Sequence, residues 1–439
     1  MKILILDIYK NTDYRISKDT SGGYGTGNNF GDGIFAKFLK KKFKKEHDWP
    51  PLFIAYTHAV LKLNGHQVKY SKKLDNDFES YDCYILSSSI VCCENEIEII
   101  KKIRFKTDKI VFTVGPFATS NPEKYIEAGS NVISGEPEFY FLKNKNLDND
   151  LNEKIIKFQH DYSIDDLPIP HWDEIIENFE KVSNLFGKYK NIPIIGTRGC
   201  PYSCFKYCVY PLQQGRKVRQ RDPKLIADEM ETWVKKGIKM FTFRDPVFSI
   251  NRKHTLDFCK EIEKRNIKCF FIIETHLRIL DTELIKKLKK VGLKAVKVGV
   301  ESVDEKVLKN ANRFTVTKDE QVSKIRELEK NNIQVSAMFI IGFPNDDLNT
   351  INATINYAKK LNSTYSQFSV WTPYPGTPVF EEYKNKIIAN KYEDFDQYQL
   401  VYKHERFNKN EIRKLLNKCY NSYYLRLNWI FKYIKSFAI

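Results

Sequence analysis

The sequence predicts an α/β protein: a doubly wound, Rossmann-like N-terminal domain, a partial (β/α)6 TIM-type barrel, and a C-terminal helical segment. Three observations carry this reading. Short apolar strands alternate with helical patterns through residues 1–145, the alternation becomes regular over residues 191–380, and residues 381–439 read as a basic helical region. A chain of 439 residues also fits two to three domains at roughly 150 residues each.

In the N-terminal domain, Lys2 to Ile8, Cys83 to Ser87 and Lys109 to Val114 have the Ile, Leu, Val and aromatic content of strands. Ile54 to Leu63 has helical spacing and stops at Asn64-Gly65, a normal helix ending. Strands separated by helices form parallel sheets, whose ligands sit beyond the strands' C-terminal ends. Two of those ends are glycine-rich: Gly22-Gly23-Tyr24-Gly25-Thr26-Gly27 follows the first strand, and Gly115-Pro116 ends the third. Residues 143–157 read as linker, and the segment between the two domains, 146–190, as linker and connecting helix.

From Pro193 the strands are Pro193 to Thr197, Met240 to Phe243, Cys269 to Ile273, Ala295 to Val300, Val335 to Ile341 and Ser366 to Trp371. Helical patterns such as Pro223 to Lys236, Asp281 to Val291, Lys318 to Asn331 and Asp347 to Leu361 separate them. Six such units fall short of the eight of a closed barrel, and barrel chemistry gathers at the strands' C-terminal ends. Cysteines, carboxylates, arginines and glycines follow those ends: Arg198-Gly199-Cys200, Arg244-Asp245, Glu274 to Arg278, Glu301-Ser302, Gly342-Phe343-Pro344 and Thr372 to Gly376.

Composition excludes several classes. Hydrophobic residues at 42% with 16 Pro and 19 Gly are too apolar for a disordered chain. No stretch approaches 18 uninterrupted apolar residues and the run ending at Asp7 is too short for a signal-peptide core, so a cytoplasmic protein is expected. The net charge of +17 is spread over nearly every helical pattern, which argues against a nucleic-acid stripe. The exception is residues 401–439, with nine Lys/Arg, two Asp/Glu and interleaved aromatics. A terminal helix packing those aromatics on the body is the expectation, with an anionic membrane surface as the alternative.

Of nine cysteines, Cys83, Cys92, Cys93, Cys259, Cys269 and Cys419 lie in apolar stretches and read as buried small hydrophobes. Cys200, Cys204 and Cys208 instead share one loop just past the first barrel strand. Structural zinc calls for four ligands, and no nearby His or Cys supplies the fourth. Disulfides call for an oxidising compartment. An iron-sulfur cluster accepts three thiolates from a compact run and leaves one iron open. The cluster is the favoured reading, with zinc and a non-metal role as alternatives.

These motifs resemble the radical S-adenosylmethionine (SAM) superfamily, in its branch with an N-terminal cobalamin-binding-type domain. The resemblance rests on Gly199-Cys200-Pro201 with the later cysteines, Val209 to Leu212 with Gly215-Arg216, Phe243 to Phe248, Gly299 to Ser302, Gly342 to Pro344 and Thr372 to Pro378. It implies a [4Fe-4S] cluster on Cys200, Cys204 and Cys208, with SAM on the open iron as the source of a 5′-deoxyadenosyl radical. It further implies that Tyr207 lies against the adenine, that Glu301 and Arg278 hold ribose and methionyl carboxylate, and that Gly342, Pro375 and Gly376 let the backbone approach the nucleoside. An electron donor such as flavodoxin or ferredoxin, or a reductase, is the implied partner.

Two departures from the family pattern shape the functional expectation. The loop is Cys-x3-Cys-x3-Cys where the family has Cys-x3-Cys-x2-Cys, a spacing similar to that of aminoglycoside radical diol dehydratases. The loop after Asp7 lacks the family's Asp-x-His-x-x-Gly, and His58 and His66 read as surface residues away from it. Cobalamin therefore stays an open question. The leading expectation is radical dehydration of a vicinal diol in a sugar-like metabolite, with Asp245 and Glu274 as acid/base candidates. A cobalamin-dependent C-methyltransferase is the alternative, and a non-catalytic iron-sulfur or zinc module the third. The barrel is expected to load its cluster even without residues 1–145.

Overall fold

The computed structural model describes residues 1–44, 50–147, 153–157, 162–176, 190–313 and 316–437. The reading of 146–190 as connector therefore lies partly outside the described residues, including all of 177–189. Two six-stranded sheets organise the rest. The first comprises β1 (Lys2–Leu6), then, past a two-residue-stranded hairpin of β2 (Ile16–Ser17) and β3 (Thr26–Gly27), β4 (Gln67–Ser71), β5 (Cys83–Ser87), β6 (Ile110–Val114), β7 (Asn131–Ser134) and β8 (Ile155–Lys157). Their order is β4-β1-β5-β6-β7-β8 and every pairing is parallel. All five residues of β5 are buried, as a strand covered by helices on both faces requires.

Residues 143–157 are thus not all linker: β8 pairs with β7 through Val132↔Ile155. Three residues held by one ladder on a sheet edge carry no periodicity to read. The same holds for β4, whose Gln67-Val68-Lys69-Tyr70-Ser71 is half exposed at the opposite edge. His58 also departs from expectation. It is 1% exposed within helix Leu52–Leu63, and burial pushes its pKa down to about 4.

The second sheet runs through β9 (Asn191–Ile194), β12 (Met240–Phe243), β13 (Phe270–Glu274), β14 (Leu293–Glu301), β15 (Gln334–Ile341) and β16 (Tyr365–Val370). A short antiparallel pair, β10 (Thr197–Arg198) and β11 (Arg219–Gln220), sits beside it. The order β16-β15-β14-β13-β12-β9 leaves the barrel open between β9 and β16. Along β15 fully buried positions alternate with half-buried ones. The former meet the surrounding helices and the latter face a hollow interior.

Two distant parts of the chain close the open side. Helix Ile34–Lys44 brings Phe35, stacked on Tyr424 at 4.3 Å between ring centroids. Helices Lys409–Tyr424 and Leu427–Phe437 lie against β16, where Tyr420 Oη donates to the Phe368 carbonyl at 2.8 Å and Trp429 Nε1 to the Thr364 carbonyl at 2.9 Å. The terminal aromatics that were expected to pack on the body do so through these bonds.

Buried charge ties the two sheets together. Arg198 of β10 is 3% exposed and bonds both Glu136 and Glu138 of the N-terminal domain, and Arg219 reaches Glu136 at 2.8 Å. Deleting residues 1–145 would strand Arg198 without either carboxylate, and an uncompensated buried charge costs roughly 3–5 kcal/mol. A barrel that loads its cluster without residues 1–145, as the sequence suggests, would have to bear this cost.

Candidate active site

The cysteine loop leaves β10 through Gly199, whose φ is +84° and where a Cβ would lie 2.0 Å from the Lys217 carbonyl oxygen. Only glycine fits there. Cys200 and Cys204 are buried and Cys208 half-buried. The residue added between Cys204 and Cys208 is absorbed by a single 3-10 turn over Ser203–Lys206, closed by the Cys208 amide donating to the Cys204 carbonyl at 3.1 Å. Burial raises the thiol pKa values of Cys200 and Cys208, and neighbouring Cys204 adds to both. Among the described residues no three Cys, His, Asp or Glu side chains converge on a single-ion site.

Arg313 stands over this loop. Its Nη1 is 3.7 Å from Cys204 Sγ and its Nη2 3.3 Å from Glu301 Oε1, while Ser203 Oγ donates to the Asn312 carbonyl at 3.0 Å. Glu301 has φ +65° at the end of β14. Burial raises its carboxyl pKa against the pull of Arg313. Burial also opposes the charge of Arg313, yet Glu301, Tyr207 and Cys204 more than offset it and hold the guanidinium protonated.

From this loop a cavity of about 620 Å³ runs into the barrel and out toward its open side. Tyr207, Cys208 and Glu301 line one end, and Glu274, Lys297, Arg244 and Asp19 form a charged wall nearby. Arg244 Nε lies 2.5 Å from Asp19 Oδ2. Glu274 and Lys297 are neighbours across the β13–β14 ladder, and burial followed by Arg244 lowers the ammonium pKa of Lys297. The opposite end is aromatic, with Phe35, Phe38, Phe43, Trp429 and Tyr433.

The expected site residues divide on this geometry. Tyr207, Cys208, Glu301 and Glu274 meet at the cavity. Asp245 does not: it is fully buried, and its carboxylate accepts from the Gly196 amide at 2.8 Å and Thr197 Oγ1 at 3.0 Å. Its bonds anchor the chain leading to the cysteine loop. Arg278 is exposed, and the partner of Glu301 is Arg313. Gly342 faces Ile412, with Cδ1 3.2 Å from where a Cβ would stand, and its carbonyl accepts from Tyr402 Oη at 2.9 Å. Pro375 and Gly376 dock on the N-terminal domain, the Pro375 carbonyl accepting from Tyr24 Oη at 2.7 Å. Lys297 was missed although its parity with Ala295 and Glu301 along β14 marks it as inward. Arg313, in a loop between helices, carries no such signal.

A family model described as the radical SAM superfamily matches residues 194–358. Residues 194–358 thus carry a radical SAM domain. The chain is similar to an uncharacterized methyltransferase of Pyrococcus horikoshii, 25% identical over 417 residues that cover 86% of this chain and 88% of the relative. It is also similar to the anaerobic magnesium-protoporphyrin IX monomethyl ester cyclase of Rubrivivax gelatinosus, 26% identical and covering 81% and 69% of the two chains. Among solved structures, the radical SAM methyltransferase TsrM from Kitasatospora setae superposes with a TM-score of 0.66 at 16% identity, over 88% of this chain and 76% of that one. That likeness is one of fold.

A [4Fe-4S] cluster and SAM are the cofactors of this domain. The donor set fits a cluster, in which each thiolate bonds a different iron and so need not converge with the others on one point. The cationic Arg313 beside Cys204 suits the anionic thiolates. The N-terminal sheet edge does not fit cobalamin. Segment 18–26 covers it: Tyr24 is fully buried and its carbonyl accepts from the Ile90 amide at 2.8 Å, while Gly25 packs on Ser89 and Gly23 on Pro116. Asp7, where the family's imidazole motif would begin, is bound instead by Tyr9 and Tyr70 and lies 3.3 Å from the buried Lys18 ammonium. Lys18 Nζ also bonds Glu96 at 2.8 Å.

Proposed function

We propose that this radical SAM enzyme transfers a methyl group to a carbon of a small molecule held in the barrel cavity. The observation that carries the reading is the likeness to a methyltransferase along 88% of that relative's length. Diol dehydration rested on the spacing of the cysteine loop alone. That spacing is accommodated by one 3-10 turn over Ser203–Lys206, and none of the relatives described above is a dehydratase.

When bound, the cluster and SAM would supply reductive radical chemistry at the cysteine end of the cavity, with one SAM consumed in removing the substrate hydrogen, a second supplying the methyl group and leaving as S-adenosylhomocysteine, and the external reductant providing two electrons. Cys200, Cys204 and Cys208 hold the cluster, and Arg313 balances their charge. Tyr207 and Glu301 line the space beside the last thiolate, where an aromatic face and a carboxylate serve an adenosine. Glu274 and Lys297 face the same cavity, and the lowered ammonium pKa of Lys297 favours an amine able to accept a proton from the substrate. Segment 15–28 of the N-terminal domain contributes Arg15, Asp19 and Asn28 to the cavity wall, so this domain acts in substrate selection.

The test is anaerobic incubation of the reconstituted protein with reductant, methyl-deuterated SAM and a metabolite extract. The expected result is a product that carries the intact deuterated methyl group, together with S-adenosylhomocysteine. Formation of 5′-deoxyadenosine with a product that loses water and gains no label would return dehydration to first place.

A further inference from the structure

Six of the twelve large apolar side chains exposed among the described residues lie on two helices at the open side of the barrel. Helix Ile34–Lys44 exposes Ile34 at 80% and Phe38 at 57%, and helix Leu427–Phe437 exposes Leu427 at 72%, Phe431 at 62% and Ile434 at 61%. The two helices lie together: Phe35 meets Trp429 edge-on at 5.7 Å and Lys42 Nζ donates to Tyr433 Oη at 3.0 Å. Neither helix contains an Asp or Glu. Lys37, Lys41 and Lys44 are exposed on the first of them, while Lys40 lies between Asp13 and Asp32.

The same helices end the cavity. Phe38 lines it and also stands exposed, so the cavity reaches the surface at this patch. Inward from Phe38 the walls are aromatic, and beyond them come Glu274, Lys297 and Arg244. The channel therefore grades from a mouth that is mainly aromatic, with Lys42 among its walls, to a charged reactive end.

We infer that the paired outer faces of these helices dock on an anionic lipid bilayer, and that an amphiphilic substrate enters the cavity from that surface past Phe38. Exposed bulky apolar side chains interleaved with lysines, on helices that themselves carry no Asp or Glu, are what an interfacial helix presents to anionic headgroups. Water gives no compensation for so much exposed apolar area in one place. An amphiphile fits the grading: its apolar part rests against Phe35, Phe43 and Trp429 while its polar part reaches Glu274 and Lys297. The inference deepens the methyl-transfer reading by naming the class of acceptor.

The test is co-sedimentation of the reconstituted full chain with vesicles of phosphatidylcholine mixed with phosphatidylglycerol, compared with phosphatidylcholine alone. The protein is expected to pellet with the anionic vesicles and to be released in part by salt. Ile34→Asp and Phe431→Asp should each weaken binding by about tenfold and leave SAM cleavage unchanged. Equal partitioning of variants and wild type, or none by wild type, would overturn docking. So would a wild-type dimer in light scattering that Phe431→Asp dissociates, since a second copy would then cover the patch.

A polarity-sensitive dye on Phe38→Cys should shift to the blue on anionic vesicles, whereas one on Phe105→Cys should not. cis-Parinaric acid, an anionic amphiphile that fluoresces in apolar surroundings, should be taken up by the vesicle-free protein. Absence of either signal would overturn amphiphile entry. Sedimentation, dye and uptake readouts do not involve methyl transfer, so failure of methyl transfer and failure of docking are separately visible.

Discussion

At the scale of single residues, Glu301 and Arg313 depend on each other, 3.3 Å apart beside the cysteine loop. Arg313→Ala would leave a carboxylate in a site where burial already raises its pKa, at a cost of roughly 3–5 kcal/mol to stability. It would also remove the cation beside Cys204. The expected outcome is a lower melting temperature and weaker SAM binding by calorimetry, with Arg313→Lys recovering part of each.

Asp245 makes a different prediction. Burial raises its pKa from 3.8 to about 7, so the folded state holds a proton that the unfolded state has released. Its contribution is full below pH 3.8 and diminishes as pH rises to about 7. In Asp245→Asn that dependence disappears, and the stability of wild type relative to the variant should fall between those limits and level off above them in denaturant titrations. A difference independent of pH would contradict it. The position of Asp245 after a strand was legible in the sequence. That its oxygens are spent on Gly196 and Thr197 was not, because those bonds depend on how the β9 and β12 ends lie side by side.

Among the elements, the segment after β16 illustrates what a motif conceals. Thr372 to Pro378 reads as a turn that approaches a nucleoside, and its turn chemistry is genuine: Gly376 has φ +87°. Its neighbour is the helix Pro116–Ser120, with Ser120 Cβ 2.6 Å from where a Cβ on Gly376 would stand. Gly376→Ala should therefore cost about 1–3 kcal/mol through strain and contact. Differential scanning calorimetry is expected to show it as a lowered transition with iron content unchanged. Strands of continuous apolar run or clear alternation, such as β5 and β15, were readable because burial on one or two faces imposes their pattern. The edge strands β4 and β8 were not, because a single ladder holds them without one.

For the whole molecule, the covered edge of the first sheet sets the cofactor prediction. Segment 18–26 lies where a doubly wound sheet commonly receives its ligand, and Lys18, Asp7 and Glu96 are fully buried beneath it. Protein incubated with excess hydroxocobalamin and desalted is expected to emerge without a stoichiometric cobalamin spectrum. One equivalent retained would mean that this segment yields to the cofactor.

The open barrel also bears on how the chain acquires its pocket. The walls between β9 and β16 come from residues 15–43 and 420–433, which lie almost a full chain length apart, whereas the three cysteines lie within nine residues of one another and their partner Arg313 is 109 residues from Cys204. Contacts between distant segments carry the greater loop-closure cost and form late. During refolding the cysteine loop should therefore take shape before the pocket does. A folding intermediate would then be competent for metal while still blind to substrate.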